Sequence, residues 1–178
     1  ATAGTFEVRI NTRPTAINET FGAALPGGPF TVDLPAGPYF QVRLLGFTFD
    51  IDGNSVSGNF TLEQEVDGGS RTTKVGVSDL EVAIGGQTLE DGEGAFLILG
   101  TGVAGVISGT AQLSAGGFEA GGSIGVRFNT TGGAVDTTID LGGTTATLQF
   151  DNDIFEFYGA GLALDIGGFV VIEGNIVF

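Results

Sequence analysis

The eight residues Val56-Ser57-Gly58-Asn59-Phe60-Thr61-Leu62-Glu63 put Val56, Gly58, Phe60 and Leu62 on one side of an extended chain and Ser57, Asn59, Thr61 and Glu63 on the other. A period of two is the signature of a strand with one apolar and one wet face. The alternation returns in Thr5–Thr12, Phe30–Leu34 and Thr144–Phe150. No segment sustains apolar residues at three-four spacing, and Gly, Thr, Val, Phe and Ile dominate, a usage that disfavours helix. The fold class expected is all-β.

Between the strand-like runs stand Asp52-Gly53 and glycine pairs beginning at Gly27, Gly68, Gly85, Gly116, Gly132, Gly142 and Gly167. Such pairs accept the positive φ of two-residue hairpin turns, so successive strands are expected to be antiparallel neighbours in a meander. All five prolines lie between Pro14 and Pro38, which marks the stretch holding Pro26, Pro29, Pro35 and Pro38 as an edge or a loop-rich crossover. Several long strands change phase. In Tyr39–Asp52 the apolar set runs Phe40, Val42, Leu44 and then Leu45, Phe47, Phe49, Ile51, and Val75 and Val77 give way to Leu80, Val82 and Ile84. Such a slip implies a bulge or bend, and strands folded over a corner would serve two faces of a core. The architecture expected is an antiparallel meander of long bent strands forming an internally repeated β-sandwich-like module.

The chain repeats itself. Val8-Arg9-Ile10-Asn11-Thr12, followed by Ala16-Ile17-Asn18 and Thr20, returns as Val126-Arg127-Phe128-Asn129-Thr130, followed by Ala134-Val135-Asp136 and Thr138. Further on, Phe40, Gly46, Asp50-Ile51, Gly53 and Gly58-Asn59 return as Phe155, Gly161, Asp165-Ile166, Gly168 and Gly174-Asn175. A fainter echo lies between, where Phe96 precedes Gly102 by the spacing that separates Phe40 from Gly46. The expected frame is 1–62 as the second half of a repeat unit, 63–125 as the first half of the next, and 126–178 as the second half of that unit, in one continuous β module. The chain thus starts and stops out of phase, as a slice of an array would, or as a unit completed by neighbours. No basic, apolar leader opens it, so a secretion signal is expected to have been removed or to lie outside.

Composition excludes much chemistry. The 178 residues can bury one good-sized core or two small ones. There is no His for proton transfer near neutral pH and no Cys for thiolate chemistry or disulfides. Six Lys+Arg against 21 Asp+Glu give a formal charge of -15, which repels phosphate backbones and anionic headgroups, so nucleic acid is not an expected partner. Ala95–Leu113 is uncharged and long enough to tempt a membrane reading, but the repeat counterparts carry Arg43, Asp50, Glu156 and Asp165, so membrane insertion is not expected either.

Candidate sites are sparse. Asp50, Asp52 and Asn54 alternate oxygen ligands as a calcium loop begins, although Thr61 stands where a helical loop would close with Glu, and an Asp-Gly turn explains the same residues. Calcium is the one possible cofactor. Asp151-Asn152-Asp153 and Glu90-Asp91-Gly92-Glu93 read as solvated turns. Nothing among the acids selects the carboxylate pair of a glycosidase, and Tyr39 and Tyr158 read as core-edge packing. Asn18-Glu19-Thr20, Asn59-Phe60-Thr61 and Asn129-Thr130-Thr131 match the glycosylation acceptor pattern. Gly100, Gly102, Gly105 and Gly109 lack the Lys-Ser/Thr of a phosphate loop and fit close strand packing better. No catalytic residue is assigned, and the chain is not expected to be an enzyme.

The strings GEGAFLILGTGVAGVISGT (92–110), VRFNTTGGAVDTT (126–138) and LPAGPYFQVRLLGFTFDIDG (34–53) resemble the Gly-, Thr- and Asp-rich repeat modules of very long secreted or surface bacterial proteins. The resemblance covers most of the chain but not the GGxGxD calcium nonapeptide. It implies a structural module of an extracellular filament, adhesin stalk or surface coat, with a calcium-stabilised or ligand-binding adhesin module as the alternative. Such modules would associate with copies or neighbouring repeats through sheet edges. The residues expected at the junctions are Phe6 and Val8 in the first strand and Phe169, Val171, Ile176 and Phe178 in the last, which carries no blocking Lys or Pro.

Overall fold

Glycine turns build the sheet. Strands β4 (Tyr39–Ile51), β5 (Asn54–Asp67), β6 (Ser70–Ile84) and β7 (Gln87–Leu99) follow one another through Asp52-Gly53, Gly68-Gly69 and Gly85-Gly86. Both residues of each turn have positive φ, between 54° and 85°, the backbone of a type I′ turn, whose twist matches that of the strands it joins. Strands β8 (Gly102–Ala115) and β9 (Phe118–Asn129) continue the meander. The computed structural model describes residues 4–22, 28–115, 117–166, 168 and 170–177.

The remaining strands are β1 (Thr5–Asn11), β2 (Ile17–Phe21), β3 (Phe30–Leu34), β10 (Val135–Asp140), β11 (Thr145–Phe150), β12 (Ile154–Ile166) and β13 (Val170–Val177). Nine strands form one antiparallel sheet in the order β1-β4-β5-β6-β7-β8-β9-β12-β13. The hairpins β2-β3 and β10-β11 stand outside it as separate two-stranded sheets. The proline-rich stretch enters the first of these hairpins. The sheet runs unbroken through residues 62–63, inside β5, and 125–126, inside β9.

Register partners define the two faces. One row crosses the sheet as Phe6, Leu44, Phe60, Val77, Gly94, Ile107, Val126 and Phe157. Its neighbour on the opposite face reads Glu7, Arg43, Thr61, Gly76, Ala95, Val106, Arg127 and Glu156. Along this row, from β1 to β12, the first face is apolar, and toward one end it carries the hydrogen-bonded pair Gln64 and Thr73. The second is charged at its flanks and small or apolar in the middle, where β10-β11 lies over β6, β7 and β8.

The phase slips do not turn strands onto a second face, as the sequence suggested. Register shifts fall between Leu44 and Phe47, Val77 and Leu80, Glu90 and Glu93, and Ala160 and Ala163. Each extra residue takes up one position without consuming a face, so the apolar set re-emerges on the side it left. The row Phe49, Val56, Val82, Leu89, Ala111, Gly122 therefore shares the face of Phe6 and Phe157. Ile107 and Ala111 prove it, lying four residues apart in β8, which pairs with β9 without a shift. The bulge residues Gly46, Gly161, Asp79 and Asp91 all have φ between 50° and 65°, which glycine adopts freely and Asp more readily than most residues.

The buried core sits under the second hairpin. Ala95, Leu97 and Ala104 of the sheet meet Val135, Ile139, Leu141, Leu148 and Phe150, with Leu99, Val106, Ala146 and Ile154 around them. Gly76 lets β10 close down, because a Cβ there would meet the Asp140 carbonyl oxygen. Thr61 Oγ1 donates to that same oxygen, and Ser78 Oγ donates to Leu141 O at 2.8 Å.

Candidate assembly interface

Strands β1 to β5 follow and pair with one another in the same order as β9 to β13: in each set the first strand pairs with the fourth, the fourth with the fifth, and the second and third form a separate hairpin. Asn11 and Asn129 end the equivalent strands and are 2% and 1% exposed. Asn11 Nδ2 donates to Thr15 O and Pro35 O at 3.0 and 2.6 Å, and Arg13 N donates to its Oδ1 at 2.9 Å. Asn129 Nδ2 donates to Gly133 O and Asn152 O at 2.7 and 3.1 Å, and Thr131 N donates to its Oδ1 at 3.0 Å. One buried amide thus ties both ends of each hairpin to the sheet. The bulges match as well, since Gly46 N donates to Asn59 Oδ1 at 2.7 Å and Gly161 N to Asn175 Oδ1 at 2.8 Å. The third echo does not correspond: Gly102 opens β8 after a turn with φ 159°, close to extended, whereas Gly46 and Gly161 sit in mid-strand bulges.

This correspondence defines the edges. β9 is paired on both sides, with β8 and β12, whereas among the described residues its counterpart β1 pairs only with β4. β5 is likewise paired with β4 and β6, whereas among the described residues its counterpart β13 pairs only with β12. Phe6 and Val8 of β1, and Val171 and Ile176 of β13, are exposed. Phe6, Val8 and Ile176 lie on the apolar face, while Val171, opposite Asp165, lies on the other. Phe169 and Phe178 lie outside the described residues.

A polar network crosses the second face beside the hairpin. Arg43 lies between Glu7 at 3.4 Å and Asp140 at 3.3 Å, joining β1, β4 and β10. Glu63 accepts from Tyr39 Oη at 3.1 Å and Gln41 Nε2 at 3.2 Å and lies 3.6 Å from Lys74 Nζ. A hydrogen bond from Arg9 at 2.6 Å, aided by the charges of Arg9 and Arg43, holds the Glu7 carboxyl below the usual range despite partial burial. Burial, and then the charge of Glu63, push the Tyr39 phenol well above its ordinary value. Sequence reasoning placed Tyr39 at a core edge but did not find this network, whose members come from five strands.

The calcium candidates form a turn. Asp52 and Gly53 are its two central residues, Ile51 pairs with Asn54, and Asp50 pairs with Ser55, so Asp50 and Asn54 face opposite sides of the sheet. Asn54 Oδ1 accepts from Gly85 N at 3.1 Å. Among the described residues no group of three or more acidic side chains is placed to hold a metal ion. Of the three acceptor-pattern asparagines, Asn129 is buried with both amide donors engaged. Asn59 Nδ2 donates to Ser78 Oγ and Asp79 Oδ2, and Asn18 is exposed.

A groove of about 520 Å³ opens on the apolar face toward the last strands, lined by Leu113, Ile124, Leu162, Leu164, Ile172 and Ile176. Among the described residues no helix is long and apolar enough to cross a membrane, a statement that leaves strands aside. The charges of the strand copies, Arg43 and Glu156, lie on the face opposite the apolar rows. They therefore weigh against a helical span and not against contact of the apolar face with lipid. No protein-family model, no curated protein and no solved structure matches the chain.

Proposed function

We propose that the chain is a structural repeat module of an extracellular filament, adhesin stalk or surface coat, joined to neighbouring repeats of the same kind through its sheet edges, and not an enzyme. One observation carries the reading: each edge strand of the nine-stranded sheet, β1 or β13, is the structural copy of a strand that is paired on both sides, β9 or β5. An edge built to an interior pattern is a template for another strand. The absence of blocking Lys or Pro on β13 and the exposed Phe6, Val8 and Ile176 support the same view.

The experiment is a two-repeat chain in which residue 177 is followed by residues 62–178, so that β13 continues into a second β6 as β5 does into the first. The extended protein should unfold in one transition, its β13 amides should exchange more slowly than in the single chain, and its scattering profile should lengthen by about 4.8 Å per added strand. A second copy that unfolds separately and leaves β13 unprotected would overturn the reading. The melting temperature is expected to ignore chelators.

A second reading, a module that binds an apolar ligand, is favoured by the uncharged rows of the first face and by the groove between Leu113 and Ile176. Its ligand would be a lipid acyl chain. Binding of a fluorescent fatty acid, lost in Leu164→Glu, tests it.

A further inference from the structure

The two hairpins are copies with different fates. Register equates Ile17, Glu19 and Phe21 with Val135, Thr137 and Ile139, and Phe30, Val32 and Leu34 with Ala146, Leu148 and Phe150. Ile139 and Leu148 are each 1% exposed because β6, β7 and β8 lie beneath them. Phe21 and Phe30, stacked at 5.0 Å, stand 47% and 49% exposed.

The first hairpin is nonetheless amphipathic. Ile17, Phe21, Phe30, Val32 and Leu34 share one side, with Glu19 opposite Val32 as its one charge, whereas Asn18, Thr20, Thr31 and Asp33 share the other and hydrogen-bond across the strands at 3.2 and 2.9 Å. Leu34, next to the sheet, is buried, but Phe21 and Phe30 at the far end of the hairpin are not; a wet face and a largely apolar face on two short strands, with that end left open, is the pattern of a covering layer without its floor.

The second hairpin shows where that floor belongs. It leaves the sheet at Asn129 in β9 and covers the strands that precede β9 in the sheet order, with Phe150 under the Arg127 guanidinium at 5.2 Å. The first hairpin leaves at Asn11 in β1 through the same buried amide, so its floor lies beyond the open edge of β1. We infer that β1 receives an antiparallel strand of the β8 kind, and that the β2-β3 hairpin closes over the small-residue face of that strand and the two beyond it, all supplied by the preceding repeat. The β8–β9 register fixes the pairing: the residue equivalent to Ala104 opposite Asn11, that to Val106 opposite Arg9 and that to Ser108 opposite Glu7. The floor has to be apolar with small residues at its centre, as Ala95 and Ala104 are beside Leu97, roomier near Phe21 and Phe30, which replace Ile139 and Ala146, and polar or open to solvent where Glu19 replaces Thr137. This deepens the structural-module reading and rests on it.

The test is a chain carrying a second copy of residues 70–118 ahead of Ala1, a join that keeps the spacing of β8 to β9. Hydrogen exchange at β1 reports edge pairing, and the emission of Phe21→Trp reports the hairpin. Slowed exchange at β1 with a blue-shifted indole is the expected result. Slowed β1 exchange with an unchanged indole overturns the covering hairpin while the edge reading stands. Unprotected β1 overturns both.

Should the extended chain fail to fold, the first hairpin can be placed in the second one's seat without any added repeat, with residues 12–38, carrying Phe30→Ala, in place of 130–153. A folded chain with slowly exchanging β2-β3 amides supports the inference. Loss of the fold, or a fold with those amides open, overturns it, because the inference requires one seat to accept either hairpin.

Discussion

Replacing Ile139 by Ala and Phe21 by Ala puts the unequal hairpins to a direct measurement. Ile139 is 1% exposed within the cluster of Ala95, Leu97, Ala104 and Leu148, and the change deletes three carbons. At about 0.8 kcal/mol per buried methylene the transfer loss is about 2.4 kcal/mol, and the cavity left behind brings the total to roughly 3 kcal/mol. For a chain of this size that is a fall in Tm of about 6–12 °C. Phe21 is half exposed, so its truncation forfeits about 1 kcal/mol of burial and about 0.5–1.5 kcal/mol of stacking on Phe30. Much of that loss stays local, because a hairpin without a floor opens independently of the sheet. The global Tm should then fall by no more than about 3 °C. Thermal and urea unfolding followed by far-ultraviolet circular dichroism give both numbers. Equal shifts for the two variants, or less than about 1 kcal/mol for Ile139→Ala, would refute the view that only the second hairpin is part of the cooperative core.

Gly76→Ala should lower stability by about 2 kcal/mol or more, since its Cβ would meet Asp140 O and come within 2.6 Å of Thr61 Oγ1, and denaturant unfolding should show β10-β11 amides losing protection first. Asn129→Asp keeps the shape of the anchor but turns two donors toward Gly133 O and Asn152 O into a carboxylate; a loss of about 2–4 kcal/mol is expected at neutral pH, with part regained in acid as the carboxyl protonates, read from urea midpoints across pH. Tyr39 holds its proton more tightly when folded, so its contribution is complete below the ordinary phenol pKa and is lost as pH rises beyond about 10; Tyr39→Phe should flatten that alkaline decline in Tm. Glu7 has the opposite sign, its contribution being present above the ordinary carboxyl range and lost as pH falls through the depressed value, and at this exposed edge Glu7→Gln should change acid stability by less than about 1 kcal/mol.

The elements legible in the sequence are those that local chemistry decides. Gly68-Gly69, Gly85-Gly86 and Asp52-Gly53 announced two-residue turns, and two-residue turns between alternating runs leave an antiparallel meander as the simplest outcome. The repeat was legible because Asn11 and Asn129, or Gly46 and Gly161, answer the same local geometric demand twice. What stayed hidden is non-local. A slip from Leu44 to Phe47 reads identically whether a strand turns a corner or inserts one residue, and only the partner, Phe60 then Gly58, tells the two apart. In the same way, β10 and β11 alternate like any sheet strand, and their departure from the meander depends on Gly76, Ala95 and Ala104 being small enough to let a layer close on them. The polar network escaped notice because Glu7, Arg43, Glu63 and Asp140 are far apart in the chain and come together only through register.

The bulges also bear on how strands of 13 to 15 residues would serve a repeat that, as proposed, stacks sideways. A strand of that length accumulates twist, a sheet extended through its edges coils, and a bulge bends its strand and raises the local twist further. Gly46, Asp79, Asp91 and Gly161 each mark a register shift part-way along a strand, and a bulge bends its strand while the apolar set stays on one face. Because bulges fall on both copies of the repeat, at Gly46 and Gly161, each added unit would bring the same bend. Replacing Gly161 by Val would force a β-branched residue to φ near 59° and should remove the bend or the pairing of β12 with β13. If hydrogen exchange in β13 is unchanged by that substitution, the bulge is an accident of sequence and does not shape the array.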